Sequence, residues 1–461
     1  MFNRLSFVIL LFWLCDMALF ASNSYDLDSL LRIDMPVVIV ETVNHEEPTC
    51  EYFSIANGDP GNTITNATKV PGRVLIIEKG DTLYDSGEYE KGASGMTIKI
   101  RGNNSAFRSI KPYKIKLQSK ADMLCRGDEK KYKDKEWLLL YGMNLNNMVG
   151  WKVSELLKLQ YTPAYKYVNV FMNGKHRGVY CLCESVKRNS ECRLDVSKDE
   201  GFIVEKDPYY WNEDVFFRSL YVSIEYTFKY PDPDEITEEQ IAYAQQRITD
   251  FERSVFRDTY DQYIDVESFA SWLLAHEILG TQDAGGSNIY MTWYDSNSKI
   301  QMGNIWDLDT NYMVGDNWAA IHEWKGFLFW RMLTSEVNKS LADALYKKWS
   351  VESSWICDSM VVWLEEFRTS DACAAMDTSR QLLGQRAGIV ANEIVSSIAW
   401  FNRRKIWLDE AMKVYAPIST NIAAKIPSHV RDSACYNLMG QRKKQPGKGL
   451  FVHDGRLMFC K

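Results

Sequence analysis

The residues best suited to chemistry lie in TQDAGGSNIYMTWYDSNSKIQMGNIWDLD, residues 281–309, where Asp283, Asp295, Asp307 and Asp309 accompany a single Lys299. Asp283 and Asn288 are five apart in a segment expected to follow a helix and precede a β-hairpin, and Asp307 closes that hairpin. Hard oxygen ligands gathered in this way suit a divalent cation opposite a nucleophile, the requirement of phosphoryl transfer. As i and i+2 on a strand, Asp307 and Asp309 would share a face, where like charges raise one pKa unless a metal offsets them. The plain alternative is that aspartates mark turns and caps. Asp295, in the hairpin turn, is read as structural.

The elements that must position these groups can be read from pattern. Asp265 is placed to cap a helix running through Phe269, Leu273 and Ile278, and Gly280 is placed to end it just before Asp283. IYMTWYD and KIQMGNIWDLD read as a hairpin around residues 296–298. Upstream, residues 36–100 alternate β-rich runs with Asn/Gly turns, the signature of an antiparallel sheet. FRSIKPYKIKL continues it, with Tyr113, Ile115 and Leu117 on one face and Lys114 and Lys116 on the other. WKVSELLKL reads as a helix, YVNVFMNGKHRGVYCLCESV as a hairpin turning at Asn173-Gly174, and GFIVEKD as a further strand. Thr237 to Gln240 fits a capping box ahead of Ile241, Ala244, Ile248, Phe251 and Val255 on one helical face. Helices dominate from there to about residue 414. The expected class is α+β, two-lobed, with a β-rich front half, a helical rear half and a short β tail.

Composition bounds the function. The chain has 461 residues, 46% of them apolar, enough for a sizeable core, and a formal charge of -7 that argues against nucleic acid as the main partner. At the N-terminus, Arg4 precedes an apolar run from Leu5 to Cys15 that Asp16 interrupts, followed by Ala18, Ala21 and Ser22. That is the pattern of an export signal over 1–22, and it is too short for a membrane span. Cys15 invites a lipoprotein reading, against which stands the bulky Leu14. No other stretch is apolar enough to cross a bilayer, so the expectation is a secreted or envelope protein, soluble or surface-attached. Nine of the ten cysteines follow the signal, with no CxxC pair, so zinc is not expected. The tail, from CYNLMGQRKKQPGKG onward, reads as short strands that Cys435 and Cys460 could close with a disulfide.

Taken in order, IRGNNSAFRSIKPYKIKL, KEWLLL, YVNVFMNGKHRGVYCLCESV, GFIVEKD, SFASWLLAHEILGTQDAGGSN and NIWDLD closely resemble the motifs of the spore coat protein H (CotH) kinase family. The resemblance covers roughly residues 95–350. It implies an atypical kinase-like fold that binds ATP with Mg2+ or Mn2+ and phosphorylates Ser or Thr of exported proteins. Carried over position by position, Asp283 matches the catalytic base, and Asp307 with Asp309 the W-D-x-D metal site, with Asn288 a further ligand by spacing. Arg101, Gly102, Asn103 and Ser105 match the family's RGN-x-S start, and Lys111, Lys114 and Lys116 its basic strand. Lys116 is the first choice as phosphate clamp and Lys114 the second, against the plain reading of a solvated strand face. Glu184 matches a family Glu that pairs such a lysine or holds metal, with Glu155 the alternative; Glu205 is a candidate partner for an RGN-loop arginine. Trp306 either stacks on adenine or fills core, and residues 318–330 (WAAIHEWKGFLFW) are candidates for a substrate groove.

Two departures stand out: Val149-Gly150 where the family often has Arg-Asn, and His276-Glu277 where it has Asn-Glu. The tail resembles the terminal β-tails of exported proteins in Bacteroidetes-type bacteria. The expected organisation is a signal peptide over 1–22, a β-rich region over 23–95, a CotH kinase-like domain over 96–415 and a β tail over 416–461. Besides the kinase, two readings stay open: an inactive kinase-like scaffold for surface binding, and a carbohydrate-active protein whose carboxylate pair, Asp283 and Asp307, would sit roughly 5 to 9.5 Å apart.

Overall fold

The computed structural model describes residues 27–54, 62–102, 104–127, 130–281, 286–308, 313 and 328–417, together with strands in 435–460. The export signal expected over 1–22 lies outside the described residues. The architecture is mixed α+β, with strands concentrated in the first half and helices in the second.

After a short helix α1 (Leu27–Leu31), the run VVIVET forms β1 (Val37–Thr42), as four successive β-branched residues favour. A small antiparallel hairpin, β2 (Cys50–Ser54) and β3 (Asn62–Ala67), follows. Then come β4 (Val70–Glu78), β5 (Asp81–Asp85), β6 (Met96–Ile100), β7 (Tyr113–Ala121) and β8 (Asp134–Tyr141). Helix α2 (Asn146–Leu157) separates these from the hairpin β9 (Tyr165–Met172) and β10 (Lys175–Glu184), which turns at Asn173 and Gly174, both at positive φ as a type I′ turn requires.

Strands β4, β1, β9, β10, β8, β7 and β6 pair in that circular order, and β6 returns to β4, so seven strands close into a barrel-like sheet. Every pairing is antiparallel except β1 with β9. The barrel draws β1 and β4 from the 23–95 stretch and the rest from beyond it. Val38, Val74, Ile98, Ile115, Leu139 and Val170 are among its buried residues, while Thr97, Lys99, Lys114 and Lys116 alternate with buried neighbours and stand outward.

A second antiparallel sheet follows, in the order β12 (Phe216–Arg218), β13 (Glu225–Tyr230), β11 (Phe202–Lys206), β14 (Ile289–Trp293) and β15 (Gln301–Met302). Helix α3 (Glu238–Phe256) begins with the expected capping box between Thr237 and Gln240. Helix α4 (Val266–Leu279) is capped by Asp265, whose side chain accepts from the Ser268 N–H at 3.0 Å, and every residue from Phe269 on is buried. The rest is helical: α5 (Phe329–Leu333), α6 (Ser340–Lys347), α7 (Ile356–Arg368), α8 (Asp371–Gln381) and α9 (Ile389–Ala411). No helix among the described residues is long and apolar enough to cross a membrane.

The chain divides into one compact unit ending at Tyr415 and a second from Ala416 on. Within the second, β16 (Cys435–Asn437), β17 (Arg442–Lys443), β18 (Gly449–His453) and β19 (Arg456–Cys460) form an antiparallel sheet. Its register corrects the proposed disulfide. Cys435 pairs with His453 at one end of β18 and Cys460 with Gly449 at the other, with β18 between them. That separation exceeds the roughly 7 Å between Cα atoms that a disulfide spans.

Candidate active site

Helix α4 delivers the chain to the acidic segment and is held firmly at its end. Gly280 adopts the left-handed conformation (φ 60°) and returns its N–H to the His276 carbonyl at 2.8 Å. From α9, the Trp400 indole donates to the Ile278 carbonyl at 3.0 Å. Arg404 donates to the Glu277 carbonyl at 2.7 Å and to its carboxylate at 3.1 Å. His276 is buried against the Thr281 hydroxyl at 2.6 Å, and burial pushes its pKa down to about 3, which keeps the ring neutral. Asp283 lies outside the described residues. Beyond it, the Gly286 carbonyl accepts from Lys206 Nζ at 2.9 Å.

The Asn288 amide donates to the Asp307 carboxylate at 3.4 Å, so the two expected ligands that are described stand side by side. Both have left-handed backbones, φ 60° and 58°. Asp307 therefore does not continue a strand, and the expectation that it shares a strand face with Asp309 does not hold; Asp309 itself lies outside the described residues. Its neighbours explain the geometry. Trp306 packs on Trp151 of α2 with ring centroids 5.8 Å apart, and Leu308 lies where a side chain on Gly150 would stand, 2.1 Å from an added Cβ. With Trp306 and Leu308 buried on α2, Asp307 between them is exposed. Trp306 is thus a core residue, 6% exposed. Gly150, one of the departures from the family pattern, is the gap that admits Leu308.

A carboxylate and an adjacent amide are hard-oxygen ligands, and turning the amide would present its oxygen beside that of Asp307. This chemistry fits a divalent cation such as Mg2+. Among the described residues no group of three or more His, Cys, Asp or Glu could hold a metal by itself.

The outer face of β6, β7 and β8 carries the lysines. Register sets Lys99 opposite Lys114 and Lys116 opposite Glu136. Lys114 Nζ meets Glu136 at 2.9 Å, while Lys116, with its side chain 60% exposed, stands 4.0 Å from the same carboxylate. Burial pushes the Glu136 carboxyl up, yet Lys114, Lys187 and Lys116 together hold it below its ordinary value. Lys99 has no ion pair or hydrogen bond from its ammonium among the described residues. Burial pushes its pKa down, and repulsion from Lys114 and Lys69 pushes it further. Lys111 donates to the Ala106 carbonyl at 2.8 Å and so anchors the preceding turn.

Glu184 and Glu155, expected to meet these lysines, and Glu205, expected to meet an RGN-loop arginine, are engaged elsewhere. Glu184 is buried and receives Arg126 at 2.9 Å, the Tyr161 hydroxyl at 2.8 Å and the Ala164 N–H at 3.0 Å. Glu155 pairs with Lys152 at 2.9 Å. Glu205 pairs with Lys229 at 2.8 Å and lies near the Tyr290 hydroxyl, beside which Arg101 contributes positive charge. Burial and the Glu205 charge push Asp207 up to about 6. Asn103 lies outside the described residues, as do residues 318–327 of the aromatic-rich stretch. Asp295 accepts from the Ser298 and Asn297 N–H groups at 2.8 and 3.0 Å, which makes it the turn residue expected.

Glu136 is the residue that sequence reasoning missed. The signal lay in KEWLLL: an acid on the strand next to the lysine strand, at the register that sets it against Lys116.

No curated protein matches the sequence. The family model described as CotH kinase protein matches residues 98–369, from within β6 to just past α7. That match spans more than half of the chain and takes in the lysine face, α4 and the Asn288–Asp307 pair, so the protein belongs to the CotH kinase family.

Proposed function

We propose that this protein is an exported phosphotransferase of kinase-like fold, which moves the γ-phosphoryl group of ATP to a Ser or Thr hydroxyl of another exported protein. The observation that carries the reading is the Lys114–Glu136 ion pair at 2.9 Å, on a family member whose Asn288 and Asp307 side chains adjoin. Kinases use a strand lysine, oriented by a glutamate, to neutralise nucleotide phosphates. Lys114 takes that part here ahead of Lys116, because Glu136 fixes its position while Lys116 stands largely in solvent. Asp307 with Asn288, and Asp309 by family position, would hold Mg2+ or Mn2+. The cation supplies neutralisation of the charge that builds on the phosphate oxygens. Asp283 accepts the proton of the attacking hydroxyl as its oxygen bonds to phosphorus and the bond from phosphorus to the ADP oxygen breaks. By family position, Arg101 and Asn103 of the RGN motif would contact the phosphates.

The mature protein, freed of residues 1–22, would work outside the cytoplasm, secreted or attached to the envelope. A second reading, a kinase-like surface scaffold without catalysis, draws on the burial of Trp306, which removes one platform for adenine. Incubation of the mature protein with labelled ATP and Mg2+ or Mn2+, beside Asp283→Ala and Asp307→Ala, separates the two. The kinase reading expects nucleotide binding and phosphoryl transfer in the wild type, with transfer falling at least about a hundredfold in either variant. Wild-type protein that shows neither binding nor transfer would end it.

A further inference from the structure

We propose that Lys99 is a second phosphate-binding lysine, which grips the nucleotide's phosphate chain from the strand beside Lys114; this deepens the nucleotide reading above and rests on it. Lys99 lies on β6 directly opposite Lys114, on the same outward face of the barrel. Side chains paired across antiparallel strands stand roughly 5 Å apart at Cβ, and like charges in that position repel. The pair is therefore a cost to the ligand-free fold.

Little in the surroundings returns that cost. Among the described residues Glu136 is the carboxylate that ion-pairs on this face, and Lys114 and Lys116 already share it. Glu136 and Glu213 act on Lys99 only through space, with no ion pair formed. Lys99, Lys114 and Lys116 against Glu136 leave an excess of two positive charges.

A solvated strand face would keep its lysines in water, as Lys116 does. Lys99 is instead half-buried, where an unpaired ammonium is disfavoured. A ligand that repays this must carry several negative charges over a few ångströms, so that two neighbouring ammonium groups each meet an oxygen. A phosphate chain does so, whereas a single carboxylate supplies one charge to two lysines.

The test compares wild type with Lys99→Met and Lys99→Arg, with Lys69→Met as a control, by titration of the mature protein with ATP and Mg2+ and separately with inorganic tripolyphosphate. Lys99→Met is expected to weaken both ligands by about tenfold or more, Lys99→Arg to retain most of the affinity, and Lys69→Met to change it less than about twofold. Without ligand, Lys99→Met should unfold at the same temperature as wild type or a higher one, since repulsion with Lys114 is gone. A purely structural lysine would give the opposite pattern, a lower unfolding temperature with unchanged affinity, and Lys99→Gln repeats the comparison should the Met variant fold poorly. Wild-type affinity for both ligands in Lys99→Met and Lys99→Gln would overturn the inference and leave the kinase reading standing. Absence of ATP binding in wild type would remove both.

Discussion

Replacing Glu184 by alanine separates a structural carboxylate from a nucleotide-binding one. Its side chain is 1% exposed and receives three donors, from Arg126, Tyr161 and Ala164. In the variant the Tyr161 hydroxyl and the Ala164 N–H lose their acceptor, while Arg126 keeps Asp122 at 2.9 Å and the ring of Tyr132 at 4.0 Å. Removing one member of a buried charged network costs about 3–5 kcal/mol, and the contact that Arg126 retains favours the lower part of that range. An unfolding entropy of roughly 2.1 cal/mol/K per residue, over a unit that ends at Tyr415, comes to about 0.9 kcal/mol/K. The midpoint should therefore drop by about 3–6 °C, read by calorimetry on the ligand-free protein. Tyr161→Phe removes one of the three donors and should cost about 1 kcal/mol, and the double variant should fall short of the sum because both changes act on one network. ATP affinity, corrected for the folded fraction, should stay within about twofold of wild type. A Glu184→Ala protein that melts within about 1 °C of wild type but binds ATP tenfold more weakly would refute the reasoning and return Glu184 to the nucleotide site.

Two further outcomes follow from buried groups. Glu252, buried on α3, is pushed up to about 7 by burial, although Ser219, the Val222 N–H and Tyr226 offset part of the effect. An unfolded carboxyl titrates near 4.3, so the folded state holds the extra proton between that pH and about 7, and stability declines as pH rises through the window. Glu252→Gln should abolish this decline, so that its melting temperature gains a few degrees on wild type between about pH 5 and pH 7 and no more above it; a constant difference across that range would count against the assignment. Gly150→Val would press a side chain on Leu308 and, by overpacking, cost about 1–3 kcal/mol. Since Leu308 adjoins Asp307, the Mg2+ dependence of ATP binding should weaken as well, and a lowered melting temperature with unaltered Mg2+ dependence would show that Leu308 does not position Asp307.

What the sequence discloses here divides by the range of the interaction that decides each feature. The alternation in KPYKIKL, the capping box at Thr237 and Gln240, the Asp265 and Gly280 ends of α4 and the turn at Asn173-Gly174 are local, and each lies where its pattern places it. Closure of the barrel is not local. It depends on β1 lying parallel to β9, more than a hundred residues away, and no period in either strand announces that partner. The site divides in the same way. A strand lysine facing outward could be read from the period of two, but its partner depended on which strand lies beside it. Glu184 ends β10 and Glu136 lies on β8, and these two strands are themselves paired, with Glu184 opposite Trp137. One position along the ladder turns a side chain to the other face of a sheet. Glu184 thereby falls among Arg126, Tyr161 and Ala164, and Glu136 falls beside Lys114. Asp307 shows the same limit at shorter range, because the strand-like spelling W-D-L-D hides a left-handed backbone fixed by Trp306 on Trp151 and Leu308 against Gly150. That packing also accounts for one of the two departures from the family pattern, the glycine at position 150. Gly150 admits the apolar neighbour that leaves Asp307 exposed, so the change at this position is compatible with the role proposed for Asp307.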